Sequence, residues 1–341
     1  MSGYDPMKLE DFNFDLPEQL IASYPLERRD QSRLLHYSCN TDSLEHKKFI
    51  DILSILKPGD LIVRNNSRVL AARFVVDTDT GSKLEILLLD PITKSSYKAL
   101  AGNAKRIKAG RRYFLDNNQE IFIERQGDDV LVDFGTEEKF NLAIDACGMM
   151  PIPPYMKRDA EEFDKQRYQT VYAREAGSVA APTAGLHFTH EIDQGLVAAG
   201  IEIAELTLHV GLGTFAPIKV DNVSEHKMHL EHYSISQNTW SKILQAKKQG
   251  RRIIAVGSTS TRVLESVART GELTGATDIF ISPGFEFKII DGLITNFHLP
   301  KSSLIVLISA LIGLEKVQEL YQIAIQEKYR FYSYGDVCLL L

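Results

Sequence analysis

Three short segments of the chain combine a histidine with small or polar residues that could serve a reaction. They read Ala181-Pro182-Thr183-Ala184-Gly185-Leu186-His187-Phe188, then Leu208-His209-Val210-Gly211-Leu212-Gly213-Thr214-Phe215, then Thr295-Asn296-Phe297-His298-Leu299-Pro300. Imidazole exchanges protons near neutral pH, and small residues admit a ligand that polar groups orient. The segments predict a pocket with His187, His209 and His298 as candidates for proton transfer. Each histidine taken alone also fits a structural role, as a half-buried ring that backbone groups satisfy.

The segment Ile201–Val210 has the alternation of a β-strand. A period of two places Glu205, Thr207 and His209 on one face and apolar residues on the other. Such a polar face meets either solvent or a cleft. A glycine turn follows His209 directly, which favours the cleft.

The glycine turn after this strand, Gly211-Leu-Gly213-Thr-Phe-Ala216, matches a dinucleotide-binding fingerprint by letters alone. That fingerprint needs a helix that begins at the glycines, because the phosphate lies at the helix N-terminus. Pro217 follows at once and the next residues look extended, which argues against a nicotinamide site. The glycines form either a turn beside a ligand or a structural strand corner, and both interpretations stay open.

A second turn, Val256-Gly-Ser-Thr-Ser-Thr-Arg262, joins a predicted strand to a predicted helix. Amide groups at a helix start, together with hydroxyl groups, can bind an anion or a sugar, which makes Ser258 and Thr259 candidates. The alternative is an ordinary helix cap by Thr259 or Ser260. No Gly-Lys-Ser/Thr follows, so the turn is not a P-loop.

A histidine-rich run, His226, His229 and His232 with Glu231, makes a metal site conceivable, because a spacing of three places two histidines on one helix face. The run matches neither common zinc-protease motif. A polar surface is the competing interpretation. We therefore expect no metal ligand in this chain.

Basic residues gather in the stretch from residue 105 to residue 112, although the net charge of −6 argues against a purely electrostatic nucleic-acid binder. Local cations can meet phosphates, and a solvated basic turn is the alternative. The cations of this basic stretch are Lys105, Arg106, Lys108, Arg111 and Arg112.

Composition indicates a globular chain that could hold two domains, with 341 residues of which 44% are hydrophobic and 25% charged. The most apolar run, Leu304–Leu314, is too short to cross a membrane. Residues 1–15 lack the apolar core of an export signal. Three scattered cysteines suit a reducing cytoplasm, where we expect the protein to work.

Two regions of the chain differ in their pattern of apolar and turn residues, and these patterns predict the fold. From about 67 to 134, short apolar runs separated by turn residues indicate a small antiparallel barrel. From about 151 onward, strands alternate with helices, which indicates an α/β layer with a partly parallel sheet. The later strands are expected at Arg252–Val256, Asp278–Ser282, Phe285–Ile290 and Asp336–Leu341. We predict an α/β main domain with a mixed sheet, from 1–66 and 150–341, and an inserted small antiparallel β-barrel domain at 67–149.

These segments together resemble the S-adenosylmethionine:tRNA ribosyltransferase-isomerase family of queuosine biosynthesis, and the similarity runs nearly end to end. The strings Ala-Pro-Thr-Ala-Gly-Leu-His-Phe and His-Val-Gly-Leu-Gly-Thr-Phe are highly specific to that family. Further matching motifs are Phe12-Asn-Phe-Asp-Leu-Pro17, Asn65-Asn-Ser-Arg68, Pro151-Ile-Pro-Pro154-Tyr155, Arg167-Tyr-Gln-Thr170, Ala255-Val-Gly-Ser-Thr259 and Tyr332-Ser-Tyr-Gly-Asp336.

The resemblance implies a reaction that composition does not show. The family transfers and isomerises the ribosyl moiety of S-adenosylmethionine onto 7-aminomethyl-7-deazaguanine at the tRNA wobble position, giving epoxyqueuosine and releasing adenine and methionine. It implies S-adenosylmethionine as a consumed co-substrate, no separate cofactor, tRNA as partner and the barrel's basic stretch as a tRNA contact. We expect a monomer without membrane contact. The alternatives are a metal-dependent hydrolase that uses the 226–232 histidines and a non-catalytic tRNA-binding protein.

By the same resemblance, the expected catalytic residues are His187, His209 and His298. The resemblance does not say which of them acts as the base and which as the acid. The residues expected to shape the substrate pocket are Thr183, Gly185, Glu205, Gly211, Gly213, Thr214, Phe215, Ser258, Thr259 and Asn296.

Overall fold

The computed structural model describes residues 7–79, 81–108, 110–127, 129–211 and 218–341. In chain order its strands are β1 (Arg33–Ser38), β2 (Ser43–Lys48), β3 (Leu61–Asn65), β4 (Ser67–Val69), β5 (Arg73–Thr78), β6 (Lys83–Pro91), β7 (Ser96–Ala101), β8 (Tyr113–Leu115), β9 (Glu120–Gln126), β10 (Asp129–Asp133), β11 (Glu175–Ser178), β12 (Glu202–Leu208), β13 (Glu231–Ser234), β14 (Ile253–Val256), β15 (Thr274–Thr277), β16 (Gly292–Asn296) and β17 (Val337–Leu340). Its α-helices are α1 (Ile52–Ile55), α2 (Glu137–Cys147), α3 (Asp164–Arg167), α4 (His190–Ala198), α5 (Gln237–Lys248), α6 (Gly257–Thr270), α7 (Ser303–Ile312) and α8 (Leu314–Gln326).

A nine-stranded mixed sheet forms the larger part of the molecule, in the order β15-β13-β12-β3-β14-β16-β17-β1-β2. The central strands β12, β3, β14 and β16 run parallel, and β13, β15, β17 and β2 add antiparallel pairs. Every residue of β3 and β14 is buried, as expected for parallel strands covered on both faces. The carboxyl ends of the parallel strands therefore open together at one edge of the sheet.

The helices that cover this sheet begin at polar caps. The side chains of Thr189, Ser236 and Ser302 accept backbone hydrogen bonds at the starts of α4, α5 and α7. Helix α6 begins differently, because Gly257 directly follows β14 with a φ of +82°. Only glycine adopts that left-handed conformation readily, so it permits the tight turn from strand to helix.

Strands β5 to β10 close into an antiparallel barrel in the order β10-β7-β6-β5-β8-β9. Apolar and polar residues alternate along its strands, so one face fills the barrel and the other meets solvent. Helix α2 covers the barrel core with Phe140, whose ring contacts those of Tyr97 and Phe134. The predicted fold class is therefore confirmed. The domain boundaries at 67 and 149 stay a prediction.

Two predicted strands are wrong. Asp278–Ser282 and Phe285–Ile290 lie in irregular chain, and the strands of this region are β15 and β16. The alternation of Phe285 and Phe287 resembles a strand, but their rings pack edge to face on each other instead of in a sheet. No helix in the described ranges has the length and apolar character to span a bilayer.

Candidate active site

A cavity of about 300 Å³ opens at the carboxyl ends of β14 and β16. We call it the central cavity. Its walls come from the start of α6, the end of β16, the 3-10 helix Thr183–His187 and the segment before β17. The carboxyl edge of a parallel sheet is the usual place for a ligand in an open α/β fold. The segments that meet there lie far apart in the sequence.

Five of the predicted site residues line the central cavity, and they come from three separate segments. They are Thr183, Ser258, Thr259, Asn296 and His298. Apart from Lys301, the described residues that line the cavity carry no charged side chain. The cavity therefore suits a largely uncharged, flat or apolar part of a ligand.

Three buried polar atoms on residues that line this cavity have no hydrogen-bond partner among the described residues. They are Thr259 Oγ1, Asn296 Oδ1 and the Tyr332 hydroxyl. A buried polar group without a partner costs about 1–3 kcal/mol. Such a cost is explained when a ligand supplies the missing partners.

The Asn296 amide is oriented by its surroundings. Its nitrogen donates to the backbone oxygen of Tyr332 at 2.9 Å, which is an acceptor only, so the amide oxygen must point the other way. The same nitrogen lies 3.2 Å from Nε2 of His187, which must then accept. His187 is consequently the tautomer with its proton on Nδ1, and that proton is donated to Ser32 Oγ at 2.9 Å. Oδ1 of Asn296 is left as an acceptor for a ligand N–H group.

His187 itself is fully hydrogen-bonded and does not line the central cavity. Burial, and then the nearby Arg29, lower its pKa to about 3, so the ring is neutral at physiological pH. Both ring nitrogens are engaged with Ser32 and Asn296. This geometry fits a residue that positions Asn296.

His298 lines the central cavity, and its ring Nε2 bonds to Thr295 Oγ1 at 2.8 Å. Burial lowers its pKa to about 3, so the ring is neutral. Its backbone N–H donates to the Tyr321 hydroxyl at 3.1 Å, which fixes the loop that carries it. A neutral, fixed imidazole at a cavity wall can accept a proton.

His209 lies one residue beyond the end of β12 and lines neither the central cavity nor the cleft beside β12. Its ring packs on Gly177, where a Cβ atom would come within 2.9 Å of the imidazole. Its Nδ1 atom is buried without a hydrogen-bond partner among the described residues, and burial lowers its pKa. The expectation that His209 shares one cleft with Glu205 and Thr207 does not match this placement.

Glu205 and Thr207 line a separate polar cleft of about 730 Å³ beside β12. Glu205 accepts hydrogen bonds from Arg64 at 3.0 Å and from Arg174 at 2.9 Å. Arg64 is buried, and Asp193 is its second ionic partner at 2.7 Å. The structure thus separates Glu205 from the central cavity and gives it an ion-pair role.

Two of the glycines predicted for the site have structural roles, one in a close packing contact and one in a backbone hydrogen bond. A Cβ atom on Gly185 would overlap the Tyr172 hydroxyl, so glycine permits a close contact there. The Gly211 N–H donates to Glu231 Oε1 at 3.1 Å, and Glu231 forms a buried ion pair with Arg262 of α6. This pair connects Gly211 to the helix whose start lines the cavity. The predicted site residues Gly213, Thr214 and Phe215 lie outside the described residues.

The histidine-rich run does not form a helix face. His226 follows a short 3-10 helix, His229 lies in irregular chain and His232 is on β13. Across the described ranges, no three His, Cys, Asp or Glu residues are placed to hold a metal ion. The metal-dependent hydrolase is therefore not favoured.

The basic stretch lies on the barrel between β7 and β8, and its five cations divide into two groups. Arg111 pairs with Asp79 at 3.3 Å, and Arg112 forms two hydrogen bonds with Glu120. The side chains without an ion pair in the described part of the chain are the exposed Lys105, Arg106 and Lys108. These three are the more available for phosphates.

The cavity-wall residues that sequence reasoning missed include Tyr155, Tyr332 and Ser333. The two tyrosine rings are 4.0 Å apart between centroids, and the Tyr155 hydroxyl bonds to Ser333 Oγ. Tyr332 has a φ of +73°, a strained conformation for a non-glycine residue and one that concentrates at functional sites. Both tyrosines lie in sequence motifs that match the family, and this match could have identified them as candidates.

Comparisons with known proteins agree with one another over almost the whole chain. The family model described as "Queuosine biosynthesis protein" matches residues 9–340. The S-adenosylmethionine:tRNA ribosyltransferase-isomerase of Desulfitobacterium hafniense is 48% identical, covering 98% of this chain and 100% of the relative. The enzyme of the same name from Francisella philomiragia is 46% identical with the same coverage.

A solved structure shares the fold. The crystal structure of S-adenosylmethionine tRNA ribosyltransferase from Thermotoga maritima matches with a TM-score of 0.56 and 33% sequence identity. The alignment covers 97% of this chain and 100% of that one. The shared architecture and the curated relatives point to the same family.

Proposed function

Because this chain belongs to the queuosine biosynthesis protein family, we propose that it is an S-adenosylmethionine:tRNA ribosyltransferase-isomerase. It transfers and isomerises the ribosyl moiety of S-adenosylmethionine onto 7-aminomethyl-7-deazaguanine at the tRNA wobble position. The products are epoxyqueuosine-tRNA, adenine and methionine. S-adenosylmethionine is a consumed co-substrate in this scheme, and no separate cofactor is required.

The observation that carries the proposal is the central cavity with its unpartnered polar atoms. Its lining, neutral apart from Lys301, suits a nucleoside, and Asn296 Oδ1 can accept from an exocyclic amino group such as that of adenine. Thr259 Oγ1 and the Tyr332 hydroxyl can hydrogen-bond to ring nitrogens or ribose hydroxyls. Closely packed aromatic and apolar walls give area for stacking.

The reaction requires proton transfers that a cavity histidine can perform. A base removes a proton from the carbon beside the sulfonium, where the positive sulfur makes that proton more acidic. The electron pair left on that carbon forms the new carbon–carbon bond of the carbocycle with the carbon that carried adenine, and adenine departs with the electrons of its glycosidic bond and takes up a proton. The substrate's amine forms its bond to this same carbon and loses a proton, while the ring oxygen leaves this carbon and forms the epoxide at the carbon beside the sulfur, from which methionine departs with the electrons of the carbon–sulfur bond. His298 is our candidate for the base, because it is the predicted catalytic histidine whose side chain lines the cavity. We assign His187 to positioning Asn296, and we give His209 no part in the proton transfers, because it lines neither the central cavity nor the cleft beside β12.

The tRNA partner must present its wobble base outside the stack, which a single-stranded anticodon loop permits. We propose that Lys105, Arg106 and Lys108 on the barrel contact its phosphates. We further propose a monomer that works in the cytoplasm, where the free cysteines Cys39, Cys147 and Cys338 stay reduced.

The test incubates the purified protein with S-adenosylmethionine and tRNA that carries the 7-aminomethyl-7-deazaguanine base. Adenine release is measured by chromatography, and the wobble nucleoside is measured by mass spectrometry. We expect one adenine for each nucleoside that gains the ribosyl-derived mass, and none when the tRNA lacks the precursor base. Equal adenine release without tRNA counts against the proposal. Binding of the anticodon stem-loop without any change in nucleoside mass indicates a non-catalytic binder.

A further inference from the structure

A small notch that faces solvent lies beside the central cavity, and two arginines contribute to it. We call it the arginine notch. It has a volume of about 20 Å³, and its polar lining comes from Arg29, Ser32, Arg167, His187, Ser333 and Tyr334. That volume is enough for a water molecule or a small oxyanion group but not for a nucleoside. Any ligand of the notch is therefore one end of a larger molecule or a small ion.

The two arginines of the notch donate to backbone oxygens that carry no charge. Arg29 donates to Leu186 O at 3.1 Å and to Gln166 O at 2.7 Å, and Arg167 donates to two carbonyls at residues 26 and 27, both at 2.6 Å. Within the described part of the chain, neither arginine has a carboxylate within 4.0 Å. The Nε atom of Arg167 is buried and has no hydrogen-bond partner there.

Four other buried or half-buried arginines of this fold are neutralised. Arg64 pairs with Asp193, Arg158 with Asp164, Arg252 with Asp60 and Arg262 with Glu231. The uncompensated charge of the notch has an electrostatic consequence. Burial, and then the neighbouring Arg167, lower the pKa of Arg29 to about 10, and burial also lowers the pKa of Arg167. An anion bound here would relieve this cost.

The notch and the central cavity share a wall. Ser333 lines both spaces. Asn296 on the cavity side and His187 on the notch side are joined by a hydrogen bond of 3.2 Å. A ligand whose reacting part occupies the cavity can therefore reach the notch with a charged end.

We propose that the arginine notch binds an oxyanion group of a substrate while the uncharged part of a substrate occupies the central cavity. This inference rests on the proposed function, which supplies two sources of such a group. One is the carboxylate at the methionine end of S-adenosylmethionine, and the other is a phosphodiester next to the modified nucleotide. Both match the planar fork of N–H donors on a guanidinium group. The competing explanation is a structural role, in which the two arginines only hydrogen-bond to the backbone carbonyls of residues 26, 27, 166 and 186.

The first experiment distinguishes a carboxylate ligand. Wild type and Arg29→Gln are compared in their equilibrium binding of S-adenosylmethionine and of its decarboxylated analogue. If the notch holds the carboxylate, wild type prefers the natural compound by about 10- to 100-fold, as expected for a hydrogen bond to a charged group. Arg29→Gln then loses that preference by weakening only the binding of the natural compound.

The second experiment distinguishes a phosphodiester ligand. The affinity for precursor-bearing tRNA is measured across salt concentrations. If the notch holds a phosphate, Arg29→Gln reduces the slope of log affinity against log salt by about 0.7–0.9, the value of one lost phosphate contact. The affinity for S-adenosylmethionine then stays unchanged.

The matched control is Arg28→Gln, because Arg28 is the adjacent arginine, is exposed and already pairs with Asp30. Arg29→Lys keeps the charge without the fork, so it replaces Arg29→Gln in the first experiment if that variant does not fold. In the second experiment the replacement is Arg167→Gln, which removes the other guanidinium group of the notch. If neither the affinity for S-adenosylmethionine nor the affinity for tRNA distinguishes the variants of the notch arginines from the Arg28 control, the proposal is overturned. The guanidinium groups then only hold the backbone carbonyls of the neighbouring loops. Both experiments measure binding, so they stay decisive even if wild type fails to release adenine, which is the separate test of the proposed function.

Discussion

Replacing Thr259 by valine should stabilise the free protein and weaken its binding of S-adenosylmethionine. The Thr259 side chain lies at the start of α6 on the wall of the central cavity, and its Oγ1 is buried without a hydrogen-bond partner among the described residues. Valine has nearly the same shape and is also β-branched, so the change replaces a hydroxyl by a methyl group with little repacking. The two effects should therefore have opposite signs.

The magnitudes follow from the state of this hydroxyl with and without ligand. A buried polar group without a partner costs about 1–3 kcal/mol, so removing it should raise the free energy of unfolding by about 1–2 kcal/mol. A hydrogen bond to a ligand contributes about 0.5–1.5 kcal/mol net, so the loss should weaken binding by about 2- to 12-fold.

The assay combines urea denaturation without ligand and calorimetric titration with S-adenosylmethionine. The control is Thr261→Val on the same helix, because Thr261 is also buried but its Oγ1 donates to Gly257 O at 3.2 Å. We expect that control to lose about 1 kcal/mol of stability and to bind the ligand normally. The reasoning is refuted if Thr259→Val is destabilised as much as the control, or if its affinity for the ligand is unchanged.

Three further predictions concern the histidines and the barrel. His298→Gln should lower kcat by at least about 100-fold, as expected for loss of a proton-transfer group, while His209→Gln should lose less than about tenfold; equal losses measured by adenine release would contradict the assignment. The folded pKa of about 3 for His187 and His298 lies below the ordinary 6.5, so the unfolded state binds more protons between these values. The contribution of each histidine to stability should therefore be fully present above pH 6.5. Below that pH the free energy of unfolding should fall by up to about 1.4 kcal/mol per pH unit for each histidine. In urea denaturation measured across pH, His298→Gln should remove the contribution of one histidine to this slope. Changing Lys105, Arg106 and Lys108 together to alanine should raise the KM for tRNA and flatten its salt dependence, whereas changing the ion-paired Arg111 and Arg112 should do so less; an unaltered salt slope for the first variant would remove the barrel from the tRNA contact.

Local pattern predicted much of the fold. Strand β14 (Ile253–Val256) matches the predicted Arg252–Val256 to within one residue, because a short and fully buried apolar run marks it. The barrel followed from closely spaced alternating strands. The pattern misled where Phe285 and Phe287 alternate, because their rings pack against each other and against Arg269, whose guanidinium carbon lies 4.0 Å from the Phe285 ring centroid. Strand β15 (Thr274–Thr277) was missed because Thr-Gly-Ala-Thr contains a glycine and an alanine, which favour strands weakly.

The candidate site was predictable in composition but not in geometry. The loops around Thr183, Ser258 and Asn296 do meet at one cavity. The structure makes His187 a buried partner of Asn296 and places His298 on the cavity wall. That distinction depends on contacts between segments more than 100 residues apart. One sequence gives no measure of such contacts. For the same reason the pairing of Tyr155 with Tyr332 could not be inferred from either motif alone.

The central claim is that the cavity at the ends of β14 and β16 is where S-adenosylmethionine reacts. A crystal structure of the protein with S-adenosylmethionine, or with its demethylated thioether, tests that claim most directly. We expect the adenine amino group within hydrogen-bond distance of Asn296 Oδ1 and the sulfur on the side of His298. Ligand density in the larger polar cleft beside Glu205, with the central cavity empty, would contradict the account.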